Sequence, residues 1–472
     1  MRKRTFLLGR GRGVERLHGH HERKKLLKDN AIATVASMLA GLLMFGLQSF
    51  AGHKLHPSEF GRAFALIGFY SIVVRPSASF GRLVAWQTSR EDPDDQGRRP
   101  LSDAVLRTLL IWTFCAGLVI ALSSTAFSGA LSHYFHTTEA EVVSIAWSSP
   151  FLLSVQLMFG SLQGERKFGL WSTMIVLLPI SYLAFIAFLV GPLGTNGVLI
   201  GVLIGASITF AVGFGIIRRR LTVHPARSVK PNWKDYRPFL VTGFISTLTV
   251  GVFVSADVVV VQHYFSRTIA GQYATVSAIG NALFSVSAGV ASAIFPSVAS
   301  RQAKGQRTGS IMFAVIALFV TITLIGTTTL NLLGSFALRN FAGAKYEGAS
   351  YYLGWYAFGM GILSIAVVLV HTQQSRNRFG LLWILVPAFV LRPTLLILFH
   401  SSVIMVVAVS DLAVTLFAAA LLIAYLVDER RMGVSGNLSA ETRGRHFSQS
   451  EGSDIFNGQL GVAHAFENPS VD

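Results

Sequence analysis

Five charged side chains interrupt long apolar stretches of this sequence. They are Arg62, Arg75, Asp257, Arg392 and Asp411. Inside a membrane, a charged side chain costs about 2.5–3.5 kcal/mol on insertion scales, so each needs a partner or a water-filled cavity. Three of the five are arginines, whose planar guanidinium binds phosphate or carboxylate oxygens with two parallel hydrogen bonds. The set indicates electrostatic binding of an anion rather than catalysis.

Two of these residues flank the last predicted helical hairpin. Arg392 precedes the turn at 400–402, and Asp411 follows it at a similar distance along the chain. At a rise of about 1.5 Å per residue, this spacing predicts similar depths on adjacent helices. Two interpretations remain open: a buried ion pair that locks the hairpin, or a substrate-binding arginine beside an acidic coupling residue.

The other three residues are expected closer to the ends of their helices. Arg75 precedes the helix-bending Pro76 and is placed toward the cytoplasmic side. Arg62 and Asp257 are placed near the external ends of the second and seventh helices. The alternative for Arg62 is a side chain that extends to the membrane interface. The alternative for Arg75 and Asp257 is a structural role without substrate contact.

Composition identifies the elements that hold these residues. The chain has 472 residues, 52% hydrophobic and 13% charged, and a formal charge of +17. Soluble domains carry about 25% charged residues, so an all-α polytopic membrane protein is favoured and no nucleic-acid partner is expected. About 20 apolar residues cross a bilayer. Twelve transmembrane helices are predicted, at 31–51, 60–81, 105–123, 143–162, 168–190, 196–217, 238–262, 268–296, 311–332, 350–371, 379–399 and 402–427.

The basic residues indicate how these helices are oriented. With the N-terminus in the cytoplasm, 33 of the 40 Lys and Arg residues fall in cytoplasmic segments and four in external loops. Such an excess marks the cytoplasmic loops of membrane proteins, and it also attracts anionic membrane lipids. We therefore predict a multi-pass protein of the cytoplasmic membrane with both termini in the cytoplasm.

A basic linker, 218–237, divides the predicted helices six and six. Matching residues recur across it at a nearly constant offset: Gly61 and Gly271, Ser89-Arg90 and Ser300-Arg301, Gln163 and Gln374. Six-helix repeats of equal orientation are related by an axis along the membrane normal and enclose a central site. The predicted organisation is a basic cytoplasmic segment at 1–30, a six-helix lobe at 31–217, the linker, a second six-helix lobe at 238–427 and a disordered cytoplasmic tail at 428–472.

No residue pattern indicates catalysis or a bound cofactor. The sequence shows no plausible Ser/His/Asp arrangement and no pair of carboxylates suited to acid–base work. The single cysteine, Cys115, lies in an apolar stretch, which excludes a disulfide framework or a cysteine metal site. We expect no enzyme activity, no metal and no cofactor.

Several segments resemble a known transporter family. They are Ser255-Ala256-Asp257 with the valines that follow, Ile269-Ala270-Gly271-Gln272-Tyr273-Ala274, Ile294-Phe295-Pro296, and Gly160-Ser161-Leu162-Gln163-Gly164. Together they resemble the polysaccharide-biosynthesis family of oligosaccharide flippases, within the multidrug/oligosaccharidyl-lipid/polysaccharide exporter superfamily. The resemblance extends over roughly residues 27–430.

The resemblance implies a shape and an activity. The two lobes would form a V-shaped transporter that flips undecaprenyl-pyrophosphate-linked oligosaccharides across the bacterial cytoplasmic membrane by alternating access. A polysaccharide polymerase and chain-length machinery would be its protein partners. On this interpretation Arg75 attracts the pyrophosphate at the inner portal, while Arg62 and Arg392 line its outward route. Asp257 and Asp411 then reset the cavity, by releasing the arginines or by coupling to a cation or proton.

Two other function classes remain beside the flippase. A cation-coupled small-molecule or drug exporter of the same superfamily is expected to place acidic residues in the membrane core of the first lobe, and the helix at 31–51 has none. A membrane enzyme such as a glycan polymerase or ligase is expected to carry a large external loop, whereas external loops here have at most about 20 residues. The sequence favours the flippase.

Overall fold

The computed structural model describes residues 8–91, 99–222, 231–303, 309–375 and 379–430. Every regular element in these ranges is helical. The α-helices are α1 Leu8–Lys54, α2 Pro57–Val74, α3 Ser77–Arg90, α4 Pro100–Ala126, α5 Ser128–Phe135, α6 Glu139–Ala146, α7 Ser149–Gly164, α8 Phe168–Thr222, α9 Trp233–Tyr264, α10 Arg267–Ala303, α11 Gly309–Leu332, α12 Gly334–Ala342, α13 Ser350–Ser375, α14 Leu382–Leu398 and α15 Val403–Arg430. Short 3-10 helices, Ala344–Ala349 and Phe379–Leu381, precede α13 and α14.

The predicted transmembrane segments fall on these helices. Within the described ranges, eight helices are long and apolar enough to cross a membrane, and the bent pair α2–α3 makes a ninth. One of the eight has 51 residues and is interrupted at Gly194, whose φ of 55° is not helical, so it carries both the fifth and the sixth predicted segments. The eighth and eleventh segments fall on α10 and on α14, an apolar helix of 17 residues. The protein is an all-helical, multi-pass membrane protein, as predicted.

Capping boxes determine where two of the helices begin. At α2, the Glu59 carboxylate accepts a hydrogen bond of 2.9 Å from the His56 backbone N–H. At α6, Glu141 accepts from the Thr138 backbone N–H at 3.1 Å, and the Thr138 hydroxyl accepts from the Glu141 N–H at 3.3 Å. Such reciprocal bonds satisfy helix N–H groups that have no partner within the helix. They also hold the Glu141 carboxylate at the start of α6, where it faces Arg62.

The second predicted segment is longer than expected and bent. α2 and α3 meet at an angle of 42° around Arg75 and Pro76. Proline lacks a backbone N–H and clashes with the preceding turn, which explains the bend. Because α3 continues to Arg90, Arg75 lies near the middle of the pair, and its predicted place toward the cytoplasmic side stays a prediction. Arg82, assigned to a loop by the sequence, also lies within α3.

The two halves of the chain, α1–α8 and α9–α15, repeat the same packing. α3 and α4 pack on α7 as α10 and α11 pack on α13. Between the halves, α2 packs against both α9 and α10. Gly61 and Gly271, matched by the sequence repeat, meet there: a Cβ atom on Gly61 would lie 2.7 Å from the Gly271 nitrogen. The two glycines matched by the sequence repeat therefore meet in the structure, where the absence of side chains allows the halves to approach closely.

Parts of the predicted organisation lie outside the described residues. These parts are residues 1–7, the linker residues 223–230 and the tail residues 431–472. The last helix, α15, continues to Arg430, so the first residues of the predicted disordered tail are helical. Residues 8–30 of the basic N-terminal segment belong to α1. The lobe boundaries stay a prediction.

Candidate functional site

A buried ion pair lies in the second half of the molecule. Asp257 of α9 is fully buried and Arg392 of α14 is 2% exposed, and Arg392 Nη2 lies 3.7 Å from Asp257 Oδ2. The guanidinium also lies over the Phe253 ring, 4.8 Å from its centroid. Two buried charges remain stable only where each compensates the other, because desolvation costs several kcal/mol per ion. The pair therefore fixes the distance between α9 and α14.

A tyrosine also contacts Asp257. The Tyr273 hydroxyl of α10 donates a hydrogen bond of 2.9 Å to Asp257 Oδ2. Its ring packs edge-on against Tyr356 of α13, whose hydroxyl lies 2.8 Å from Ser277 Oγ. Tyr273 belongs to a segment that carried the family resemblance, but sequence reasoning did not identify it as a site residue. The signal was a tyrosine in the predicted helix that directly follows the one carrying Asp257.

Several polar atoms of this cluster have no hydrogen-bond partner within the described part of the chain. They are Asp257 Oδ1 and two guanidinium nitrogens of Arg392, Nε and Nη1. A buried polar group without a partner costs about 1–3 kcal/mol, and more if it is charged. The cluster is therefore only partly satisfied: Asp257 Oδ1 could accept a hydrogen bond or contact a cation, whereas the two Arg392 nitrogens lack an acceptor among the described residues.

Arg392 forms its close ion pair with Asp257, while the predicted partner Asp411 interacts with it electrostatically without forming an ion pair. The buried residues of α14, Leu385, Arg392 and Leu396, are spaced by seven and four positions and form one helical face. The Leu385 carbonyl on that face accepts a hydrogen bond of 3.3 Å from Thr249 of α9. The face of α14 that carries Arg392 is thus packed on α9.

Asp411 nevertheless belongs to the same electrostatic cluster. It is partly buried in α15, and it interacts electrostatically with both Arg392 and Asp257. A Cβ atom on Gly359 of α13 would overlap Asp411 Oδ1, so the carboxylate occupies space that only a glycine leaves free. One arginine thus interacts electrostatically with two carboxylates on different helices.

Replacing Gly359 by Ala is expected to move the Asp411 carboxylate while leaving the fold intact. The added Cβ meets the end of a flexible side chain, so the stability cost should stay at the low end of the ~1–3 kcal/mol typical of overpacking. We expect Gly359→Ala to reduce transport as strongly as Asp411→Asn, with thermal stability in detergent close to that of the wild type. Gly215→Ala, where nothing lies within 4 Å of the added Cβ, is the control. Unchanged transport by Gly359→Ala would show that the position of Asp411 is not critical.

Arg75 lies at the bend between α2 and α3 and faces the other half of the molecule. A Cβ atom on Gly251 of α9 would lie 3.3 Å from Arg75 Cδ, so the side chain crosses the contact between the halves. Among the described residues, no ion pair or side-chain hydrogen bond compensates its charge. We call the contact surface between the two halves the seam. Arg75 is therefore a cation at the seam without a protein partner in the described part of the chain.

Arg82 is a second cation at the same seam. Its Nη1 donates a hydrogen bond of 3.2 Å to Gln374 Oε1 of α13, while its buried Nη2 has no partner among the described residues. His371 of α13 lies within electrostatic range of it. The signal in the sequence was the apolar segment Leu83-Val84-Ala85-Trp86, which continues the helix beyond Arg82. The predicted helix ends at 81, which leaves Arg82 outside it, whereas α3 continues to Arg90.

Arg62 lies apart from the buried pair and from Arg75. It is 3.9 Å from Glu141 Oε2 and donates to Thr195 Oγ1 at 3.4 Å. It lines a cavity of about 770 Å³ together with Arg267 and the loop that joins α5 to α6. The predicted alternative of a side chain extending to the interface does not describe this arrangement, because Arg62 is paired with an acidic residue of its own half.

The five predicted residues thus occupy three places. Asp257, Arg392 and Asp411 form one cluster, Arg75 lies at the seam between the halves, and Arg62 lines the cavity. In the described residues, no group of three His, Cys, Asp or Glu side chains is close enough to bind a metal ion. The arrangement can bind anions at the seam and exchange a cation or proton at the buried cluster.

No family model and no curated protein matches the sequence. Among solved structures, the chain resembles one described as the inward-facing conformation of a multidrug resistance MATE family transporter of the MOP superfamily, with a TM-score of 0.65, 14% identity and coverage of 85% of this chain and 95% of the other. The corresponding outward-facing structure gives a TM-score of 0.60, 13% identity and coverage of 86% and 96%. A third solved structure is a MOP superfamily transporter from Pyrococcus furiosus, described as having a binding pocket of reverse polarity. It gives a TM-score of 0.65, 12% identity and coverage of 86% of this chain and 96% of the other.

This chain has the fold of the MATE transporters. The MATE-like fold agrees with the superfamily implied by the sequence resemblance, and the named structures are transporters rather than enzymes. The narrower resemblance to polysaccharide flippases stays a prediction. So do the cytoplasmic placement of the termini and the type of membrane.

Proposed function

We propose that this protein is a cation- or proton-coupled exporter that moves an amphipathic organic anion by alternating access. The observation that carries the proposal is the cluster in which Arg392 forms an ion pair with Asp257 and interacts electrostatically with Asp411. It joins three membrane helices, α9, α14 and α15, at a place where charge is costly. A site of this kind responds to ions by changing how its helices are held together.

The charge balance of the cluster favours uptake of one positive charge. Two carboxylates and one guanidinium leave one excess negative charge when all three groups are ionised. An unbalanced charge within the membrane costs about 2.5–3.5 kcal/mol on insertion scales. A proton or a monovalent cation that joins Asp411 removes this excess. Asp411 is the better acceptor of the two carboxylates, because Asp257 is already held by Arg392 and Tyr273.

The seam between the halves favours an anionic substrate. Arg75 and the Nη2 group of Arg82 carry positive charge that no described carboxylate compensates. A cationic drug would be repelled there, whereas a phosphate or carboxylate group would be stabilised by charge-assisted hydrogen bonds. The comparison with a transporter whose pocket is described as having reverse polarity supports the view that pocket charge varies within this fold.

Two substrate classes fit an amphipathic anion. Small-molecule export is supported by the solved neighbours, which are described as multidrug transporters. Flipping of a lipid-linked oligosaccharide, the activity implied by the family resemblance, is supported by the arginines at the seam, because a pyrophosphate carries several acceptor oxygens. Under that alternative, the polymerase and chain-length machinery remain the proposed partners. Both classes require the same coupling cluster.

Transport by purified protein in proteoliposomes tests the proposal. We expect an imposed proton or sodium gradient to drive an anionic amphipathic dye across the membrane, and the cationic dye rhodamine 6G to move at least tenfold more slowly. Tenfold corresponds to about 1.4 kcal/mol, less than one charge-assisted hydrogen bond commonly contributes. A fluorescent lipid-linked pyrophosphate sugar, assayed by its accessibility on the far side, separates the two substrate classes.

Variants assign the roles of the charged residues. Asp411→Asn should abolish the response to the gradient, and Arg75→Ala with Arg82→Ala should weaken the apparent affinity for the anionic substrate about tenfold. Glu347→Gln and Arg339→Ala, which alter an ion pair that includes neither a cluster residue nor Arg75 or Arg82, are the matched controls. Transport of rhodamine 6G in preference to the anionic substrate would overturn the proposed substrate charge. Gradient-driven transport by Asp411→Asn would overturn the proposed coupling site.

A further inference from the structure

A polar cavity lies at the predicted external end of the molecule, where α2, α6 and α10 begin. Its volume is about 770 Å³. Ligand pockets in proteins commonly measure about 300–1,000 Å³. The walls carry four cationic or titratable side chains, Arg62, His133, His136 and Arg267. The proposed transport mechanism gives no role to His133, His136 or Arg267, so the cavity requires its own explanation.

Of the two arginines that line this cavity, one is compensated by a carboxylate and the other, within the described part of the chain, is not. Arg62 is compensated by Glu141 at 3.9 Å, and the nearby Glu139 accepts a hydrogen bond from Ser128. Arg267 is exposed to solvent, and among the described residues it has no ion pair. With both histidines neutral, one guanidinium is free to bind an anion. With both protonated, the cavity becomes strongly cationic.

The cavity also spans the seam between the halves. His133 and His136 belong to the α5–α6 region of the first half, whereas Arg267 begins α10 in the second half. Direct contacts already join the halves beside it: Gln262 Nε2 donates to the Phe135 carbonyl at 2.9 Å, and His263 stacks on Tyr134 at 4.0 Å. A ligand that contacted both walls would add to these contacts only while this end is closed.

We infer that this cavity binds a phosphate-type oxyanion through Arg267, His133 and His136, and that its occupation holds the two halves together at this end. The binding residues do not include Arg75, Arg82 or the cluster of Asp257, Arg392 and Asp411, and the inference does not depend on what the protein carries. The bound group is an anion of tetrahedral oxygens, free in solution or carried by a lipid headgroup. The volume leaves room for a small polar body attached to that group.

The titration of His136 agrees with an anion site. The pKa of His136 is lowered from its ordinary value by burial and by the neighbouring Arg267, His263 and His133. An anion would offset the positive charges and raise this pKa, so it binds more tightly to the protonated form. Affinity should therefore increase as the pH falls. The charged or titratable groups around His136 are Arg62, Arg267, His133, His263, Glu139 and Glu141.

Binding of sulfate to the purified full-length protein in a neutral detergent is the test. Sulfate keeps its charge between pH 5.5 and 7.5, so any pH dependence belongs to the protein. We expect saturable thermal stabilisation of the wild type, stronger at the lower pH, and at least tenfold weaker binding to Arg267→Ala. The pH dependence should be lost in the double variant His133→Gln with His136→Gln. Inorganic phosphate should compete.

Arg339→Ala is the matched control, because Arg339 lies in α12 outside the cavity and is paired with Glu347 at 3.6 Å. The conformational effect is measured as the distance between spin labels at Ala140→Cys and Asn340→Cys in a Cys115→Ser background, which removes the single native cysteine. Sulfate should shift the distribution of distances between the two labels toward shorter values and make it narrower. The inference is overturned if Arg267→Ala binds sulfate like the wild type, or if Arg339→Ala weakens binding equally.

Nanodiscs distinguish the two sources of the anion. In discs of phosphatidylcholine alone, sulfate should still stabilise the protein. In discs with phosphatidylglycerol, sulfate should have no effect if the lipid headgroup already occupies the site, and the short label distance should then dominate without sulfate. That result assigns the site to a lipid headgroup. A sulfate effect equal in both discs assigns it to a free anion. No sulfate effect in either disc, together with none in detergent, overturns the site.

Discussion

Replacing Arg392 by Leu is expected to lower the free energy of unfolding by about 3–5 kcal/mol, because Asp257 then remains buried without its charge partner. Asp257 is fully buried, and among the described residues the Tyr273 hydroxyl would still donate a hydrogen bond to it. The change should appear as a marked loss of thermal stability in detergent. It should also abolish gradient-driven transport, since the cluster would no longer balance its charges.

A double variant separates stability from function. Asp257→Asn combined with Arg392→Leu removes both charges and keeps an acceptor for Tyr273, so stability should return close to the wild type. If the pair takes part in coupling, this stable protein still fails to respond to the gradient. Full transport by the double variant would instead identify the pair as a structural lock. Arg339→Leu, at an exposed position, controls for loss of a guanidinium.

Replacing Gly271 by Val is expected to separate the two halves at the predicted external end. An added Cβ there would overlap the Pro57 carbonyl oxygen of α2, which is backbone and cannot rotate away. Overpacking of this kind costs about 1–3 kcal/mol. Because α2 and α10 belong to different halves, separation relieves the clash without unfolding either one. The population with this end closed should therefore fall by roughly five- to 150-fold relative to the open one.

The spin-label pair at positions 140 and 340 measures this shift directly. We expect Gly271→Val to lengthen the distance and to slow transport, since one state of the cycle becomes rare. Gly46→Val in α1, where nothing lies within 4 Å of the added Cβ, is the control. An unchanged distance in a folded Gly271→Val protein would show that the Gly61–Gly271 contact does not limit opening.

Much of the fold followed from local sequence. The apolar windows corresponded to helices because the length of an apolar segment is set by the bilayer. The match between Gly61 and Gly271 was visible as a repeat, although only the structure brings the two residues into contact. Arg82 was missed because the end of an apolar window does not coincide with the end of a helix.

The candidate site was predicted less completely. The five intramembrane charges were found because each is expensive within a membrane, and that cost is a property of the residue and its immediate neighbours. Their partners were not found. Arg392 was matched with Asp411 through proximity along the chain, whereas the face of α14 that packs on α9 directs it to Asp257.

The sequence by itself determined that this chain crosses the membrane many times as two similar halves and that five charges must be accommodated inside it. Only the tertiary structure decided which charges compensate each other, that Arg75 and Arg82 meet the seam, and that Arg62 and Arg267 share a cavity. The physical reason is the range of the interactions. Apolarity and helix formation depend on neighbouring residues, whereas a charge pair or a cavity depends on which helical faces pack together.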